Sequence, residues 1–264
     1  MKSTSGGWAA LPGVPPLLSL LGLMMAWQVA SQLAAIEGLP PVTRVLAAVP
    51  GIIFQKETLV DVGASLQRMA LGFGLALLFA VPLGLVMGRS RAVAGFFNPL
   101  LTVIYPVPKA ALMPVIMLWA GVGDTSKVLV IFLGVSLPLV YHSYQGARAV
   151  DEKLVWSAMA MGTGNIARIF RIVLPSALPE VLLGCRVGLA MALIVMVSSE
   201  MIARQSGAGN LLFNSLDMAQ YEAVYVMIIV ISAIGFVLDF AFEKLRERLT
   251  FWSTHRIELA VAES

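Results

Sequence analysis

The feature that most constrains the fold is a run of twenty residues, 69–88, without a charged side chain. A helix of about 20 apolar residues is long enough to cross the hydrocarbon core of a bilayer. In the whole chain 59% of the residues are hydrophobic and 12% are charged, whereas soluble domains carry about 25% charged residues. A water-soluble core cannot hide this much apolar surface, so we expect the bilayer to be the solvent for most of the chain.

Six segments have the length and apolar character of membrane spans. They are residues 15–35, 69–88, 97–120, 128–147, 174–201 and 223–243. Backbone groups in lipid must be satisfied internally, so only helices and closed barrels cross a membrane, and the sequence lacks the β-type alternation of a barrel. It therefore predicts an all-α fold, a polytopic inner-membrane helical bundle of about six transmembrane helices.

The basic residues predict the orientation of the bundle. If the N-terminus lies inside, eleven lysines and arginines fall on the cytoplasmic side and five on the outer side, as the positive-inside rule requires. The outer five are Arg44, Lys56, Arg68, Lys127 and Arg204. Both termini are then cytoplasmic, as tails 1–13 and 251–264 around a single membrane domain of residues 14–250. The charge-free run 3–36 exceeds the ~7–15-residue apolar region of a signal peptide, so we interpret it as an uncleaved first span.

Short segments are expected to connect these spans. The second span is predicted to be entered by an interfacial helical approach from Leu59, and the third to be broken by "YPVPKAALMP". On the outer side, residues 37–59 are predicted to hold one small amphipathic helix. Residues 204–223 are predicted to form a loop rich in glycine and asparagine.

The longest inner connection lies between the fourth and fifth spans and is punctuated by glycines and arginines. Asp151 is suited to cap a first helix, and Gly162 to end it in a left-handed conformation. Asn165 is suited to cap a second helix, and Pro175 to open the fifth span. Apolar residues near helical spacing are Leu154, Val155, Ala158, Met159 and Met161, then Ile166, Ile169, Phe170 and Val173. This pattern predicts two short helices at an angle, which either rest on lipid headgroups or dock a soluble partner.

The stretch "WSAMAMGTGNIARIFRIVLP" resembles the cytoplasmic signature of permease subunits from binding-protein-dependent ABC importers. That signature runs Glu-Ala-Ala, three residues, Gly, nine residues, Ile, any residue, Leu-Pro. The matching residues are Ala158, Gly162, Ile172, Leu174 and Pro175. Trp156 stands at the glutamate position and Ser157 at that of the first alanine.

Three further segments resemble the branch of this family that imports nitrate, sulfonates, taurine and similar small molecules. They are "SLQRMALGFGLALLFAVPLGLVMGRSRAV", "NPLLTVIYPVPKAALMPVIMLWAGVGDTSKV" and "GCRVGLAMALIVMVSSEMIARQSGAGNLL". The resemblance covers roughly residues 40–250.

The resemblance implies a multi-pass protein of the bacterial cytoplasmic membrane that works with several partners. These are a second permease copy in a homodimer, two ATP-binding subunits that carry ATP and Mg, an extracytoplasmic solute-binding protein, and membrane lipid. The implied coupling loop is residues 148–173. The residues implied to couple it to the ATP-binding subunit are Trp156, Ala158, Met161, Gly162, Thr163, Gly164, Ile172, Leu174 and Pro175. No cofactor is expected in this chain.

Three ionisable residues inside the predicted spans are candidates for the translocation path, because a charge at a span centre costs roughly 2.5–3.5 kcal/mol. Lys109 either faces a polar path, snorkels to the interface or pairs with a carboxylate such as Glu200. Arg186 acts either as a gate or as a structural partner. Glu200 is expected near the outer mouth, about 21 Å along the helix from Arg186, so the two do not pair within one copy. Asp239 is expected to be interfacial.

Glycines predict where helices approach each other closely. Gly84 with Gly88, and Gly184 with Gly188, have the small-xxx-small spacing that lets backbones pack in lipid. Gly72 and Gly74 are further candidates. The spacing predicts contacts within the bundle without naming the partner helix.

The sequence disfavours enzymatic, metal-binding and nucleic-acid-binding roles. It has no G-x-x-x-x-G-K-[ST] phosphate loop, and its two histidines and one cysteine form no zinc pattern. We expect ATPase activity on a separate subunit and no catalytic residue here. Two alternatives remain: import of a vitamin-precursor heterocycle or an aromatic acid by the same machinery, and an ATP-independent channel or secondary transporter.

Overall fold

The computed structural model describes residues 14–34 and 36–252, with side chains from residue 18 onward. Regular structure in these ranges is entirely helical, so the predicted all-α class is confirmed. The helices are α1 (Val14–Ala34), α2 (Val42–Ile53), α3 (Lys56–Arg89), α4 (Arg91–Ile104), α5 (Met113–Ala120), α6 (Asp124–Arg148), α7 (Glu152–Ala160), α8 (Asn165–Arg168), α9 (Leu174–Ala203), α10 (Ala208–Asp217) and α11 (Tyr221–Leu249). The tail 1–13 and residues 253–264 lie outside the described residues.

Four helical segments are long and apolar enough to cross a membrane: α3, α6, α11, and α9 together with the helical residues before it. A fifth crossing results if α4 and α5, which meet at 86°, form one bent span. In α1 the residues with described side chains, Leu18–Ala34, are apolar but shorter than these spans. The total of six spans and the sides of the termini stay predictions.

Helix α6 lies at the centre of the bundle and is contacted by glycines from both sides. The side chains nearest to a Cβ built on each glycine are Ile131 for Gly72, Ser143 for Gly84, Ala147 for Gly88, His142 for Gly184 and Val135 for Gly188. Contacts from α3 advance along α6 in the same direction and those from α9 in the opposite one, so α3 and α6 are parallel and α9 is antiparallel to them. We name the two ends of the bundle after Glu200, near the C-terminus of α9, and Arg148, at the C-terminus of α6.

The predicted break in the third span is confirmed. Helix α4 ends at Ile104, and a 3₁₀ turn, Lys109–Leu112, leads into α5. Prolines in this stretch lack the N–H groups that a continuous helix requires. Arg91 lines a cavity together with Arg148, whereas the Gln205 amide donates to the Val122 carbonyl at 3.3 Å. The bent pair therefore leads from the Arg148 end to the Glu200 end, which makes it a broken span rather than a loop that returns to its own side.

One expectation about the connecting segments was wrong and two are confirmed. The residues that lead from Leu59 into the second span are helical as predicted, and they form one continuous helix with it, because α3 runs for 34 residues, ~51 Å. The predicted loop at 204–223 contains α10. It begins after Gly207, whose φ of 111° is unfavourable for residues with a Cβ. The small amphipathic helix predicted within residues 37–59 is α2, which buries Val42 and Val45.

Candidate functional site

A cavity of about 670 Å³ opens between α3, α4 and α6, and we call it the tyrosine cavity. Its six polar lining residues are Asn98, Thr102, Tyr105, Tyr141, Tyr144 and Arg148. The lining contains no carboxylate. Polar side chains inside a membrane domain normally face protein or a water-filled space rather than lipid, so this side of the bundle is suited to hold a polar solute.

A second cavity of about 540 Å³ adjoins the first at the Arg148 end, and we call it the arginine cavity. The two cavities share Met87, Asn98, Tyr144 and Arg148. The second adds three charged groups, Arg89, Arg91 and Glu152. Together the cavities form a passage that reaches from Tyr105 to the end of α6, with a mainly apolar wall in the tyrosine cavity and a mainly polar wall in the arginine cavity.

The charges around the arginine cavity do not balance. The Arg89 guanidinium donates to both carboxylate oxygens of Glu152, at 2.9 and 3.0 Å. Arg148 donates only to the Tyr144 hydroxyl, at 3.3 Å. Among the residues that the structure describes, neither Arg91 nor Arg148 has a carboxylate partner. This end of the passage therefore carries an excess of positive charge.

The first helix of the predicted coupling loop forms as the sequence indicates. The Asp151 carboxylate accepts from the Lys153 amide at 2.9 Å and so caps α7. At its other end the amides of Gly162 and Thr163 donate to the carbonyls of Met159 and Ala158, at 2.9 and 3.0 Å. This is a Schellman arrangement, and it requires the φ of 75° found at Gly162.

The second helix of the loop differs from the prediction. Asn165 was expected to cap α8, but it is the first residue of that helix, after Gly164 in extended conformation. Its side chain instead accepts from the Arg168 guanidinium. Helix α8 continues through a π-helical segment, Ile169–Val173, into α9. Pro175 clashes with the i−4 carbonyl in an α-helix, and a π-turn just before it relieves this clash.

A group of large apolar side chains is exposed on the coupling loop, and we call it the apolar patch. It consists of Trp156, Met159, Met161, Ile166 and Phe170. Trp156 and Met161 are 63% and 75% exposed. On the opposite side of the loop Val155, Ala158 and Val173 are buried. An exposed apolar patch of this kind is typical of a protein or membrane contact.

Glu200 lies inside a buried polar network rather than on a cavity wall. Its side chain is 0% exposed and accepts from the Ser65 hydroxyl at 2.7 Å and from Arg68 Nη1 at 2.7 Å. The Gly209 amide at the start of α10 donates to it at 3.1 Å. Lys127, also buried, donates to the Ser206 carbonyl at 3.2 Å. The network joins α3, α6, α9 and α10.

Neither Lys109 nor Arg186 is among the lining residues of the two cavities, although the Lys109 ammonium donates to the carbonyl of Tyr105, a tyrosine-cavity residue, at 3.1 Å. The Lys109 ammonium donates to the carbonyls of Ile104 and Val107, at 2.6 and 2.5 Å, and so satisfies the C-terminal end of α4. The pairing with Glu200 that was one alternative is therefore wrong. Arg186 binds both carboxylate oxygens of Asp239 at 2.8 Å. Its Nη1 atom lies 3.1 Å from Glu243. This geometry is that of a structural link between α9 and α11.

Sequence reasoning missed the residues of the tyrosine cavity, although a signal was present. Asn98, Thr102 and Tyr105 follow an i, i+4, i+7 pattern. Tyr141, Tyr144 and Arg148 follow i, i+3, i+7. Each set places its polar groups on one face of an otherwise apolar helix. These residues were overlooked because only ionisable residues within the spans were considered as candidates.

The family profile described as "Binding-protein-dependent transport system inner membrane component" matches residues 80–251. The chain is 34% identical over 236 residues to the taurine transport system permease protein TauC of Escherichia coli (strain K12), with 87% of this chain and 86% of TauC covered. It is 29% identical over 232 residues to the putative aliphatic sulfonates transport permease protein SsuC of Bacillus subtilis (strain 168), with 87% and 84% covered.

A solved structure shares the fold. It is that of the MetNI methionine ABC transporter in inward-facing conformations, with a TM-score of 0.63 and 12% sequence identity. The match covers 73% of this chain and 95% of the matched one. The matched part of this chain thus shares its fold with a chain of that transporter.

Proposed function

Because the chain belongs to the family of binding-protein-dependent transport system inner membrane components and is an ABC transporter permease of the cytoplasmic membrane, we propose that it imports a small sulfonate such as taurine. The names of TauC and SsuC suggest this solute class. As a transport permease the chain is not an enzyme. Its family implies a solute-binding protein and ATP-binding subunits, and we assign the ATPase activity, with ATP and Mg, to the latter.

The observation that carries the proposal is the set of polar side chains along the passage through the tyrosine cavity. Hydroxyl, amide and guanidinium donors line it, and carboxylates are absent from its tyrosine-lined part. Such donors suit the oxygen atoms of a sulfonate, which accept hydrogen bonds. We assign the translocation path to this passage, and structural roles to Lys109, Arg186 and Glu200, whose polar groups are engaged within the chain.

A second permease copy would complete this passage. Tyr105 and Tyr141 line the cavity and are exposed in the single chain. Phenolic groups on a membrane-facing surface need a partner or water. A homodimer with the polar faces of both copies opposed provides both, and it leaves the apolar outer faces to lipid.

The apolar patch is the proposed contact to the ATP-binding subunit. It belongs to a loop whose first helix is capped at both ends and whose second part is continuous with α9. A displacement of the apolar patch by the ATP-binding subunit would therefore be transmitted directly to α9. In this proposal the Arg148 end faces the cytoplasm, and Trp156 provides apolar contact where the family signature has glutamate.

Reconstituted transport tests the proposal. The permease, the ATP-binding subunit and the binding protein from the same organism are placed in proteoliposomes, and uptake of labelled taurine is measured. We expect uptake only with ATP and binding protein together. Uptake without ATP would favour the channel or secondary transporter. Uptake is also measured with unlabelled competitors. If a heterocyclic vitamin precursor or an aromatic acid inhibits taurine uptake and other sulfonates do not, the alternative solute class is favoured.

Crosslinking tests the coupling role separately. Cys185 is buried and is replaced by serine, after which Met161→Cys is paired with a cysteine beside the expected groove of the ATP-binding subunit. We expect an oxidation-dependent crosslink whose yield changes with ATP. Met218→Cys, 68% exposed at the Glu200 end, is the matched control and should not crosslink. A crosslink at Met218 but not at Met161 would contradict both the docking site and the orientation.

A further inference from the structure

We propose that Arg91 and Arg148 form an oxyanion site at the exit of the passage, where they receive the sulfonate group of the solute before its release. The inference rests on the proposed function, since it gives these two residues a role in sulfonate transport. It adds a charge-selecting step to a path that otherwise offers only neutral donors.

Unpaired charge is the first support. Three guanidinium groups and one carboxylate line the arginine cavity, and Glu152 is engaged by Arg89. Arg91 and Arg148 are thus left without a counter-ion in the described part of the chain. Both residues are exposed and line one cavity, so their like charges repel each other at a strength that water reduces. A bound anion removes this repulsion.

The position of Arg148 is the second support. It lines both cavities, so a solute that leaves the tyrosine cavity in this direction passes it. Its bond to the Tyr144 hydroxyl uses Nη1 and leaves other guanidinium donors for a ligand. Gly95, on the same cavity wall, has nothing within 4 Å of a Cβ position. The wall therefore has room for a small anion.

An oxyanion at this place has two conceivable sources, a transported sulfonate and the phosphate of an anionic lipid. Both would bind guanidinium groups in the same way. The connection of Arg148 to the tyrosine cavity favours the solute, because a lipid headgroup would be expected at residues that face only the bilayer surface.

Charge-selective labelling tests the site without requiring transport. In the Cys185→Ser background, Thr102→Cys places a thiol on the wall of the tyrosine cavity. The full-length permease in phosphatidylcholine nanodiscs is treated with methanethiosulfonate reagents that carry either a negative or a positive charge. The quantity measured is the ratio of the labelling rate with the anionic reagent to the rate with the cationic one. We expect this ratio to exceed that of a free thiol in solution, because a cleft lined by one sign of charge raises the local concentration of counter-ions.

The combined change Arg91→Gln/Arg148→Gln should lower this ratio roughly tenfold. Arg168→Gln/Arg171→Gln removes the same number of charges at the same end, outside both cavities, and should leave it unchanged. Arg148→Lys should retain most of the preference, which separates lost charge from misfolding. An unchanged ratio in the double variant, or no reaction with either reagent, would overturn the proposal.

Protection from labelling separates the two ligand sources. Methanesulfonate should slow labelling in the parent and not in the double variant. If anionic phosphatidylglycerol in the nanodisc slows it and methanesulfonate does not, the site binds lipid and the solute assignment fails. Taurine uptake by the unmodified reconstituted system reports on the proposed function independently, so failure of one does not imply failure of the other.

Discussion

Both ends of the bundle carry basic residues, but these residues are paired within the chain at one end and lack carboxylate partners among the described residues at the other. At the Glu200 end, Arg68 and Lys127 are buried, and their charged groups find partners within the chain. At the Arg148 end, Arg91 and Arg148 line an open cavity without carboxylate partners, and the apolar patch is exposed beside them.

This difference separates what the chain completes alone from what it leaves to others. A buried charge network is tolerable only when its members are paired and hydrogen-bonded, so the Glu200 end is built as a closed unit. Unpaired arginines and an exposed tryptophan are the groups that a ligand and a partner protein bind. We therefore expect substitutions to affect stability at the Glu200 end and association or transport at the Arg148 end.

The largest effect is expected from Glu200→Ala. This change removes the buried carboxylate to which Ser65, Arg68 and the Gly209 amide donate, while Asp124 remains as a partner of Arg68. Buried donors that lose their acceptor cost about 1–3 kcal/mol each, or about 3–5 kcal/mol together. The free energy of unfolding, measured by denaturant titration in mixed micelles, should fall by that amount.

Asp217→Asn is the matched control for Glu200→Ala. Asp217 pairs with Arg204 at 2.9 Å, but both side chains are half exposed, and such pairs contribute about 0–1 kcal/mol. Equal losses for the two variants would mean that the Glu200 network does not hold this end of the bundle together.

The next effect concerns association at the opposite end. Trp156→Ala removes a large exposed aromatic group from the apolar patch, and interface tryptophans often contribute 2 kcal/mol or more. We expect the Kd for the ATP-binding subunit to rise roughly 30-fold, with little change in unfolding. Trp119→Ala removes an exposed tryptophan from the end of α5 and should leave the Kd unchanged; a similar rise in both would indicate a non-specific loss.

Patterns local in sequence were the ones that sequence analysis could predict. The apolar spans, the break at the prolines, the Asp151 cap and the left-handed Gly162 each depend on residues within one or two helical turns. The same locality explains the error at Asn165, because Gly164 already provides the extended residue before α8. Periodicity alone left open whether the coupling loop rests on lipid headgroups or docks a soluble partner. The resemblance to the family signature favoured docking.

Pairings between distant segments were beyond this reasoning. Arg68 and Glu200 are 132 residues apart in sequence, and Arg186 and Asp239 are 53 apart. Each residue was noticed singly, as an outer or an intramembrane charge. Only the parallel packing of α3 on α6 and the antiparallel packing of α9 decide which charges meet and which line a cavity.

The third prediction tests the packing that separates the two ends. A methyl group at Gly84 would lie 2.5 Å from Ser143 Cβ and 2.6 Å from the Val140 carbonyl, and such overpacking costs about 1–3 kcal/mol. Gly84→Ala should lower the free energy of unfolding by that amount. Gly74→Ala, on the same helix with nothing within 4 Å, should be neutral or slightly stabilising, since alanine favours helix. Equal effects would contradict the α3–α6 contact.

The smallest effect is expected where the coupling loop holds its own shape. Asp151→Ala removes the cap of α7, which costs about 1 kcal/mol. Because α7 lies at the exposed end of the molecule, the loss should stay local: amide hydrogen exchange in residues 152–155 should become several times faster, while global unfolding hardly changes. Asp217→Ala, an exposed acidic residue at the other end, should leave exchange in α7 unaltered. If Asp151→Ala instead lowers global stability as much as Glu200→Ala, the two ends are one cooperative unit, and the contrast between a closed end and an open one does not hold.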